Sequence, residues 1–369
     1  LKKSSGWKAG TQLFKLNLLS ETVKLRQELE DNTYIPKPGH KFILNEQGKI
    51  RLVHSLEPRD MIVQHALCDV ILNPILEHYL IYDNGASQKG KGLSFTRKRF
   101  EQHLTQFFHK YGLNGYILKI DFRKYFDNIE HEILIKEISK HINEPQIIDW
   151  IRKILFMNRI DITGFEDTYT LHNIYNGLEH YYNRLEQSSP KGITFLDKAL
   201  AIGSPISQIS GVYMPNRIDT WCKTVMQCKY YDVYMDDRII IHQDKEFLKK
   251  ILAGIKFIAD DLGIYINEKK TQIIKLTRPF TFLQTRYRIT KTGKIIRKIP
   301  KSTIKRQKRK MKKLAKLVVA GEITFQEFIN QYKGWRGDKK KYNSYYTLRN
   351  MDKRMEELIR WIKKIIPST

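Results

Sequence analysis

The chain has 369 residues, of which 66 are lysine or arginine and 39 are acidic. This length allows one large domain or two to three subdomains, and a content of 41% hydrophobic residues is that of a soluble globular protein. A net charge of +27 exceeds what solubility requires and indicates a polyanionic partner, first of all nucleic acid. The sequence has no long apolar segment or signal peptide that would indicate a membrane.

The N-terminal part of the chain alternates helical and hairpin patterns. A β-hairpin is predicted from Phe42 to Val53, with Arg51 on its second strand. A helix is predicted from Met61 to His78, and Pro74 is expected to kink it. Another helix is predicted from Ser94 to Tyr111, followed by glycine-containing sequence that ends it.

The middle of the chain contains an acidic residue at a strand end. Alternating apolar residues from Tyr116 to Ile120 predict a half-buried strand that ends at Asp121. Helices are predicted after it, and a tyrosine-rich stretch from about 164 to 199 is expected to be a packed insertion, with stacking on single-stranded nucleic acid as the alternative.

Two adjacent aspartates form the most informative stretch. Short apolar runs flank Asp236 and Asp237, which predicts a β-hairpin whose tight turn carries both carboxylates. One aspartate is enough for a turn, and two adjacent like charges repel unless a cation neutralises them. If Asp121 joins them, three hard oxygen ligands of the kind that suits Mg²⁺ converge, and two such ions about 3.5–4 Å apart can promote phosphoryl transfer.

The C-terminal third is predicted to be basic and helical. Between Arg286 and Lys316 there are 15 lysines and arginines and no acidic residue. A solvated helix face normally mixes charges of both signs, so phosphate contacts explain this run better. The helices that follow carry Tyr345, Tyr346 and Trp361 among their expected core or stacking positions. The predicted nucleic-acid-binding residues are Lys305, Arg306, Lys308 and Arg309.

The three cysteines, Cys68, Cys222 and Cys228, are an odd number in a chain too large to need disulfide bonds. They predict a reduced, cytoplasmic setting. The spacing of Cys222 and Cys228 is poor for zinc, and no second pair accompanies them.

Three motifs together resemble a known family. Tyr234-Met235-Asp236-Asp237, preceded by Asp121 with Phe126 five positions after it, resembles the active-site signature of reverse transcriptases. Between them lies Ile202-Gly203-Ser204-Pro205-Ile206-Ser207-Gln208, where most members have Gln-Gly-x-x-x-Ser-Pro. This variant resembles the bacterial reverse transcriptases of diversity-generating retroelements. Phe282-Leu283-Gln284-Thr285 resembles the primer-grip turn, although the family usually has glycine at the position of Gln284.

The resemblance implies an α/β (α+β) fold, the right-hand polymerase fold with fingers, palm and a helical thumb. The N-terminal segment and fingers would occupy residues 1–115. The palm would occupy 116–290, with the insertion at about 164–199, and the basic helical thumb would occupy 291–369.

The resemblance also assigns roles to residues. Asp121, Asp236 and Asp237 are the implied catalytic residues and, with the carbonyl of Phe122, the implied ligands of two Mg²⁺ ions. Phe126 would leave no space for a 2′-hydroxyl and so favour deoxynucleotides, with core packing as its alternative role. The other implied substrate-binding residues are Arg51, Ile202, Gly203, Gln208, Tyr234, Met235 and Lys270.

Three hypotheses for function remain open on the sequence. The first is an RNA-directed DNA polymerase that copies a dedicated template RNA into error-prone cDNA from deoxynucleoside triphosphates, with a basic accessory protein. The second is a phage-defence or retron-like bacterial reverse transcriptase with the same chemistry. The third is a non-catalytic RNA-binding protein, against which the three intact aspartates argue. Because Ile202 has no donor or acceptor, the first hypothesis predicts ready misincorporation, chiefly opposite template adenines.

Overall fold

The computed structural model describes residues 6–46, 49–161 and 195–366. Helices α1 (Ala9–Leu16) and α2 (Leu18–Glu30) precede an antiparallel hairpin of β1 (His40–Glu46) and β2 (Lys49–Ser55). The hairpin is the one predicted from the sequence. Arg51 lies in β2 opposite Leu44, but its side chain lies outside the described part of the chain.

A helical stretch of changing pitch follows the hairpin. It consists of α3 (Pro58–Leu67), a π-helical turn (Cys68–Leu72), α4 (Asn73–Leu76) and a 3₁₀ turn (Glu77–Tyr79). Proline lacks the N–H that an α-helix requires, and the π-helical turn lies directly before the helix that contains Pro74. The predicted helix is therefore confirmed, and its irregularity is a widened turn.

The elements between this helical stretch and the hairpin that contains Asp236 and Asp237 are mostly helical. They are α5 (Leu93–Tyr111), β3 (Tyr116–Ile120), α6 (Tyr125–Asn128), α7 (His131–Ile138), α8 (Pro145–Phe156), β4 (Ile160–Asp161), β5 (Phe195–Leu196), α9 (Pro205–Tyr213), α10 (Asn216–Thr220) and a π-helical turn (Trp221–Val225). Most of the predicted insertion, residues 162–194, lies outside the described part, and β5 after it pairs with β4.

A four-stranded sheet carries the aspartates. The hairpin strands β6 (Tyr230–Tyr234) and β7 (Asp237–His242) are followed by α11 (Lys245–Asp261) and β8 (Gln272–Lys275), and the strand order is β6-β7-β3-β8. Ile117 and Leu118 are both fully buried although they point to opposite faces, so β3 is covered on both sides rather than half-buried as predicted. The apolar stripe of α11 is buried at Leu248, Ile251 and Ile255.

Two compact units make up the chain, one formed by Leu1–Phe100 with Ile117–Ile273 and the other by Glu101–Tyr116 with Ile274–Thr369. The second unit contains a three-stranded sheet of order β11-β10-β9 and three helices. Its elements are β9 (Phe280–Phe282), β10 (Thr285–Ile289), β11 (Ile295–Lys298), α12 (Lys301–Val319), α13 (Phe325–Lys339) and α14 (Tyr345–Ile365). The predicted boundaries at 115/116 and 290/291 stay a prediction.

The three helices of the second unit pack around a core of their own. Met311 on α12, Phe328 on α13 and Met351 on α14 are buried in it. Tyr345 and Tyr346 are 69% and 76% exposed, and Trp361 is 40% exposed, so a core role for these three residues is wrong. Within the residues that the structure describes, no helix is long and apolar enough to cross a membrane.

The turn between β9 and β10 has an unusual conformation. Phe282 pairs with Thr285, so Leu283 and Gln284 alone form the turn, with φ angles of +45° and +58°. Two consecutive positive φ angles are typical of a type I′ turn, in which glycine is favoured. This explains in physical terms why glycine at the position of Gln284 would suit this turn.

We expect Gln284→Gly to raise the free energy of unfolding of the second unit by about 0.5–1 kcal/mol. The left-handed conformation costs a side-chain-bearing residue about 1–2 kcal/mol, while glycine loses about 0.5–1 kcal/mol in chain entropy. Urea unfolding followed by circular dichroism measures the change. Thr281→Gly, at an exposed position of β9 in the same unit and without positive φ, is the control and should lower the stability instead.

Candidate active site

Asp121 is the first residue after β3, and its side chain is 15% exposed. Asn267 Nδ2 donates to Asp121 Oδ2 over 3.1 Å, and Lys270 Nζ lies 3.1 Å from the same oxygen. The backbone adds to this link, because the Asn267 N–H donates to the Asp121 carbonyl and the Arg123 N–H donates to the Tyr265 carbonyl, both over 2.7 Å. The segment that precedes β8 therefore holds the Asp121 carboxylate in place.

Asp236 and Asp237 lie where β6 turns into β7, and we call the four residues Tyr234–Asp237 the aspartate turn. Tyr234 pairs directly with Asp237, so the predicted hairpin is confirmed. Met235 and Asp236 alone make the turn, and Asp237 is the first residue of β7 rather than a turn residue as predicted. Met235 has φ of +55°, and a positive φ at the first central position is typical of a type II′ turn. Residues other than glycine seldom adopt it, so this conformation must be held by its surroundings.

The three aspartates lie at the ends of neighbouring strands, because Asp121 directly follows β3, Asp237 begins β7, and β7 and β3 are adjacent in the sheet. Burial raises the pKa of Asp237 to about 6, the carboxylate of Asp236 adds to the rise, and Asp121 does so as well. The ammonium of Lys119 opposes them. Like charges shift a pKa in this way only when they lie near one another. The structure thus brings together the three aspartates that the sequence singled out.

The chemistry of this cluster fits a divalent cation. Its donors are carboxylate oxygens, the hard ligands that Mg²⁺ takes in proteins. Burial raises the pKa of Asp237 most, and repulsion from Asp236 and Asp121 adds to the rise, so three ionised carboxylates are unfavourable here without positive charge. A bound cation would reverse that effect and hold all three ionised. Lys270 provides one positive charge at Asp121 already.

Phe126 lies on α6, half-buried, with its ring against α9. A Cβ added to Gly211 would lie 3.1 Å from the Cζ atom of Phe126, so glycine at this position leaves room for the ring. Next to it, the Tyr125 hydroxyl donates to the Gly211 carbonyl over 2.7 Å. The ring is therefore fixed from one side while part of its surface stays accessible.

The Ile202 motif lies against the end of β2. The backbone of Ile202 forms a parallel bridge with Val53, and the His54 N–H donates to the Ile202 carbonyl over 3.2 Å. Gly203 has φ of +109°, and a Cβ there would lie only 3.0 Å from the His54 carbonyl oxygen, so glycine is required. Ser204 then caps α9 by accepting from the Ser207 N–H. This joins the predicted fingers hairpin to the motif that precedes α9.

The remaining predicted residues fall into two groups. Gln208 is exposed on α9 and Tyr234 is half-buried at the end of β6, both in the first unit. In the second unit, the buried face of α12 includes Gln307 and Met311, and the four predicted nucleic-acid contacts are exposed. These exposed residues are Lys305, Arg306, Lys308 and Arg309.

Two residues at the site were not singled out from the sequence. Asn267 contacts Asp121 through both its side chain and its backbone, but an asparagine in a turn-like stretch gives no sign of a partner 146 positions away. Arg238 is 0% exposed in β7, and a charged residue inside an apolar run is a signal that could have drawn attention to it.

The fold and the carboxylate cluster define a polymerase of the right-hand class, with fingers, palm and thumb. Residues 35–287 match the sequence profile of the family described as reverse transcriptase (RNA-dependent DNA polymerase). The match covers more than half of the chain, and the chain therefore belongs to the reverse transcriptase family. This confirms the predicted family and the predicted α+β polymerase fold.

Several known proteins are similar in sequence. The group II intron-encoded protein LtrA of Lactococcus lactis is 24% identical, over 76% of this chain and 52% of LtrA. The protein YkfC of Escherichia coli is 26% identical over 42% of this chain and 40% of YkfC. The COX1/OXI3 intron 1 protein of Saccharomyces cerevisiae is 28% identical over 42% of this chain and 17% of its own length. The chain thus spans about half or less of these relatives.

The solved structures that resemble this chain include telomerases. Telomerase from Candida tropicalis in complex with a fragment of telomeric RNA aligns with a TM-score of 0.49 and 12% identity, over 90% of this chain and 62% of the telomerase. Telomerase from Candida albicans with such a fragment aligns with a TM-score of 0.46 and 12% identity, over 95% of this chain and 60% of the telomerase.

Proposed function

We propose that this chain is an RNA-directed DNA polymerase that extends a primer on an RNA template. The observation that carries the proposal is that Asp121, Asp236 and Asp237 lie at the ends of the neighbouring strands β3 and β7, where Asp236 and Asp121 add to the pKa rise that burial causes at Asp237. In the proposed reaction a primer 3′-hydroxyl attacks the α-phosphate of a deoxynucleoside triphosphate, a new P–O bond forms, and pyrophosphate leaves.

Asp121 and Asp236 would hold two Mg²⁺ ions, with the Phe122 carbonyl as a further ligand and Asp237 beside them. Such ions would supply charge stabilisation for the attacking and leaving oxygens. The protein's own contribution is to position these groups. β3 and the segment around Asn267 hold Asp121, and the two-residue turn holds Asp236. Lys270, beside Asp121, is placed to attract the negatively charged triphosphate.

Extension of a labelled DNA primer on an RNA template, with all four deoxynucleoside triphosphates and Mg²⁺, tests the proposal. We expect template-length cDNA that disappears when EDTA is added. A chain that binds the primer–template without extending it in Mg²⁺ or Mn²⁺ would favour the non-catalytic RNA-binding alternative. Sequencing of RNA that copurifies with the chain identifies the template.

The sugar preference is expected to depend on Phe126. Because its ring is held by α9 and partly accessible, Phe126→Ala should open space for a 2′-hydroxyl. We expect the preference for deoxynucleotides over ribonucleotides to fall by about 10- to 200-fold, the range for one missing steric contact in a pocket. Single-nucleotide incorporation kinetics with both triphosphates measures it.

Phe257→Ala is the matched control for this change, since Phe257 is 79% exposed on α11. It should leave the sugar preference unchanged. If Phe126→Ala rejects ribonucleotides as strongly as the parent, Phe126 acts only in packing.

We further propose that copying is error-prone, as in diversity-generating retroelements. Support comes from the Ile202 motif, in which an apolar side chain replaces the glutamine that the family at large has beside the nucleotide. A basic accessory protein would accompany such an enzyme, and deoxynucleoside triphosphates would be its substrates. Two of the relatives, LtrA and the yeast COX1/OXI3 intron 1 protein, are named as products of introns. They support an alternative in which the copied RNA is an intron. A phage-defence or retron-like role shares the chemistry and would differ in the template.

Restoring a polar contact with Ile202→Gln should lower the misincorporation rate. One net hydrogen bond is worth about 0.5–1.5 kcal/mol, which corresponds to a change of roughly 2- to 13-fold. The main-chain contacts of Ile202 with Val53 and His54 do not depend on its side chain and should persist. Deep sequencing of cDNA made on one RNA template gives the error spectra, with Ile202→Val as an apolar control.

Equal error spectra for the parent and Ile202→Gln would show that the side chain of Ile202 does not affect the accuracy of copying. A parent that copies template adenines accurately would favour the phage-defence or retron-like alternative.

A further inference from the structure

A buried ion pair lies directly behind the aspartate turn. Arg238, the residue after Asp237, and Asp219 of α10 are both 0% exposed. Arg238 Nε donates to Asp219 Oδ1 over 2.9 Å, and its Nη2 donates to Asp219 Oδ2 over 3.3 Å. The Tyr231 hydroxyl donates to the same carboxylate. Both strands of the active-site hairpin are therefore joined to α10 through Asp219.

The third nitrogen of the guanidinium reaches the aspartate turn itself. Arg238 Nη1 donates to the Met235 carbonyl over 3.0 Å. Met235 is the residue whose φ of +55° is unfavourable for an L side chain. Its carbonyl belongs to the peptide group that joins it to Asp236. The hydrogen bond thus orients the backbone from which the Asp236 carboxylate projects.

The same guanidinium also contacts the residue after Asp121. The Arg238 Cζ atom lies 5.0 Å from the centroid of the Phe122 ring, a cation–π distance. Phe122 is 3% exposed, and its backbone bridges to Ile266. One side chain therefore connects the two stretches of chain that bring the carboxylates together, and all of these residues belong to the first unit.

The stability of the fold is a weak explanation for the ion pair between Arg238 and Asp219. Removing two charges from water is costly, and apolar residues of similar volume in place of a buried ion pair often leave a protein equally or more stable. The neighbours Ile239, Ile240 and Ile241 are buried and apolar, so another apolar residue would fit the pattern of β7. Arginine alone supplies a planar fork that donates to a carboxylate and to a carbonyl at the same time.

We propose that Arg238 is a positioning residue of the active site: anchored by Asp219, it sets the Met235–Asp236 peptide and the Phe122 ring so that the aspartates converge on a divalent cation. It touches neither substrate nor metal and acts through Met235 and Phe122. This inference deepens the proposed polymerase function and rests on it for its kinetic readout. Its metal-binding readout does not depend on extension.

Two variants and a control separate positioning from simple support of the fold. Arg238→Met combined with Asp219→Leu removes both charges, so that no unpaired charge stays buried. Arg238→Lys keeps the positive charge but loses the fork. Arg217→Met is the control, because Arg217 lies on α10 like Asp219 but is 42% exposed and pairs with Glu137 and Asp261 rather than with Asp219.

The full chain is titrated with Mn²⁺ by calorimetry, with and without a deoxynucleoside triphosphate, and is assayed for extension over a range of Mg²⁺ concentrations. Loss of a group that orients metal ligands typically weakens metal binding by about 10- to 100-fold. We expect the double variant to keep a cooperative melting transition and the parent's RNA affinity, to bind Mn²⁺ at least about tenfold more weakly, and to need correspondingly more Mg²⁺. Arg238→Lys should be intermediate, and Arg217→Met should match the parent.

Parental Mn²⁺ affinity and Mg²⁺ dependence in the double variant would overturn the proposal. If the double variant does not fold, the same result in Arg238→Lys overturns it. A parent that binds no Mn²⁺ overturns it as well. A parent that binds Mn²⁺ but extends no primer would refute the polymerase function. The Mn²⁺ affinities of the variants would then decide alone whether Arg238 positions the metal ligands.

Discussion

Asp236→Asn is expected to abolish Mg²⁺-dependent extension on an RNA template while leaving RNA affinity within about twofold of the parent. The neutral amide removes one anionic ligand from the sheet edge that holds Asp121 and Asp237. RNA affinity should persist because it depends mainly on phosphate contacts by basic residues. Primer extension and filter binding on the same primer–template measure the two properties.

The stability of this variant distinguishes loss of a ligand from loss of the fold. Because Asp236 raises the pKa of Asp237 by repulsion, its neutralisation relieves that repulsion, and the melting temperature without metal should be unchanged or higher. Asp244→Asn is the matched control. Asp244 caps α11 by accepting from the Glu246 N–H, and asparagine caps helices equally well, so this variant should remain active. Extension by Asp236→Asn at the parental rate would refute the metal assignment.

Replacing Lys305, Arg306, Lys308 and Arg309 with glutamine should weaken RNA binding about tenfold or more and flatten its dependence on salt. All four side chains are exposed on α12, away from the buried face of that helix. Each phosphate contact contributes about 0.7 to the slope of log K against log salt for single strands, so four contacts account for at most about 3. Fluorescence anisotropy at several salt concentrations gives the slope.

The control for this variant removes the same charge from another helix. Lys353, Arg360, Lys363 and Lys364 are exposed on α14, so their replacement changes net charge equally. If α12 carries the RNA, the control should keep most of the parental slope. Equal slopes in both variants would mean that RNA affinity follows the overall charge of the chain rather than a path along α12.

Short-range patterns in the sequence were sufficient to predict much of the fold. The hairpin from Tyr230 to His242 was predicted because apolar runs flank a two-residue turn, and α11 because apolar residues recur on one face. The two π-helical turns, at Cys68–Leu72 and Trp221–Val225, were not predicted. A π-helical turn adds one residue to a helix without changing its composition, so the spacing of apolar residues does not reveal it.

The residues of the candidate site also fall into those that the sequence predicted and those that it did not. The three aspartates could be found from the sequence because adjacent carboxylates have a cost that a cation removes and because their motifs resemble a known family. The partners that hold them could not. Asn267 is 146 positions from Asp121, and the pairing of Arg238 with Asp219 depends on how α10 packs behind the hairpin. Contacts of this kind arise from tertiary packing, which local periodicity does not encode.

The register of β6 and β7 limits how the number of residues in the turn between them can change during evolution. Tyr234 faces Asp237 across a turn of two residues, and side chains alternate between the two faces of a strand. If the turn keeps two residues, a deletion would place Ile239 at the position of Arg238 and an insertion would place Asp237 there, and in both cases Arg238 would move to the opposite face. Substitutions can change what this hairpin carries, but lineages that lengthened or shortened it by one residue would lose the ion pair between Arg238 and Asp219 in a single step.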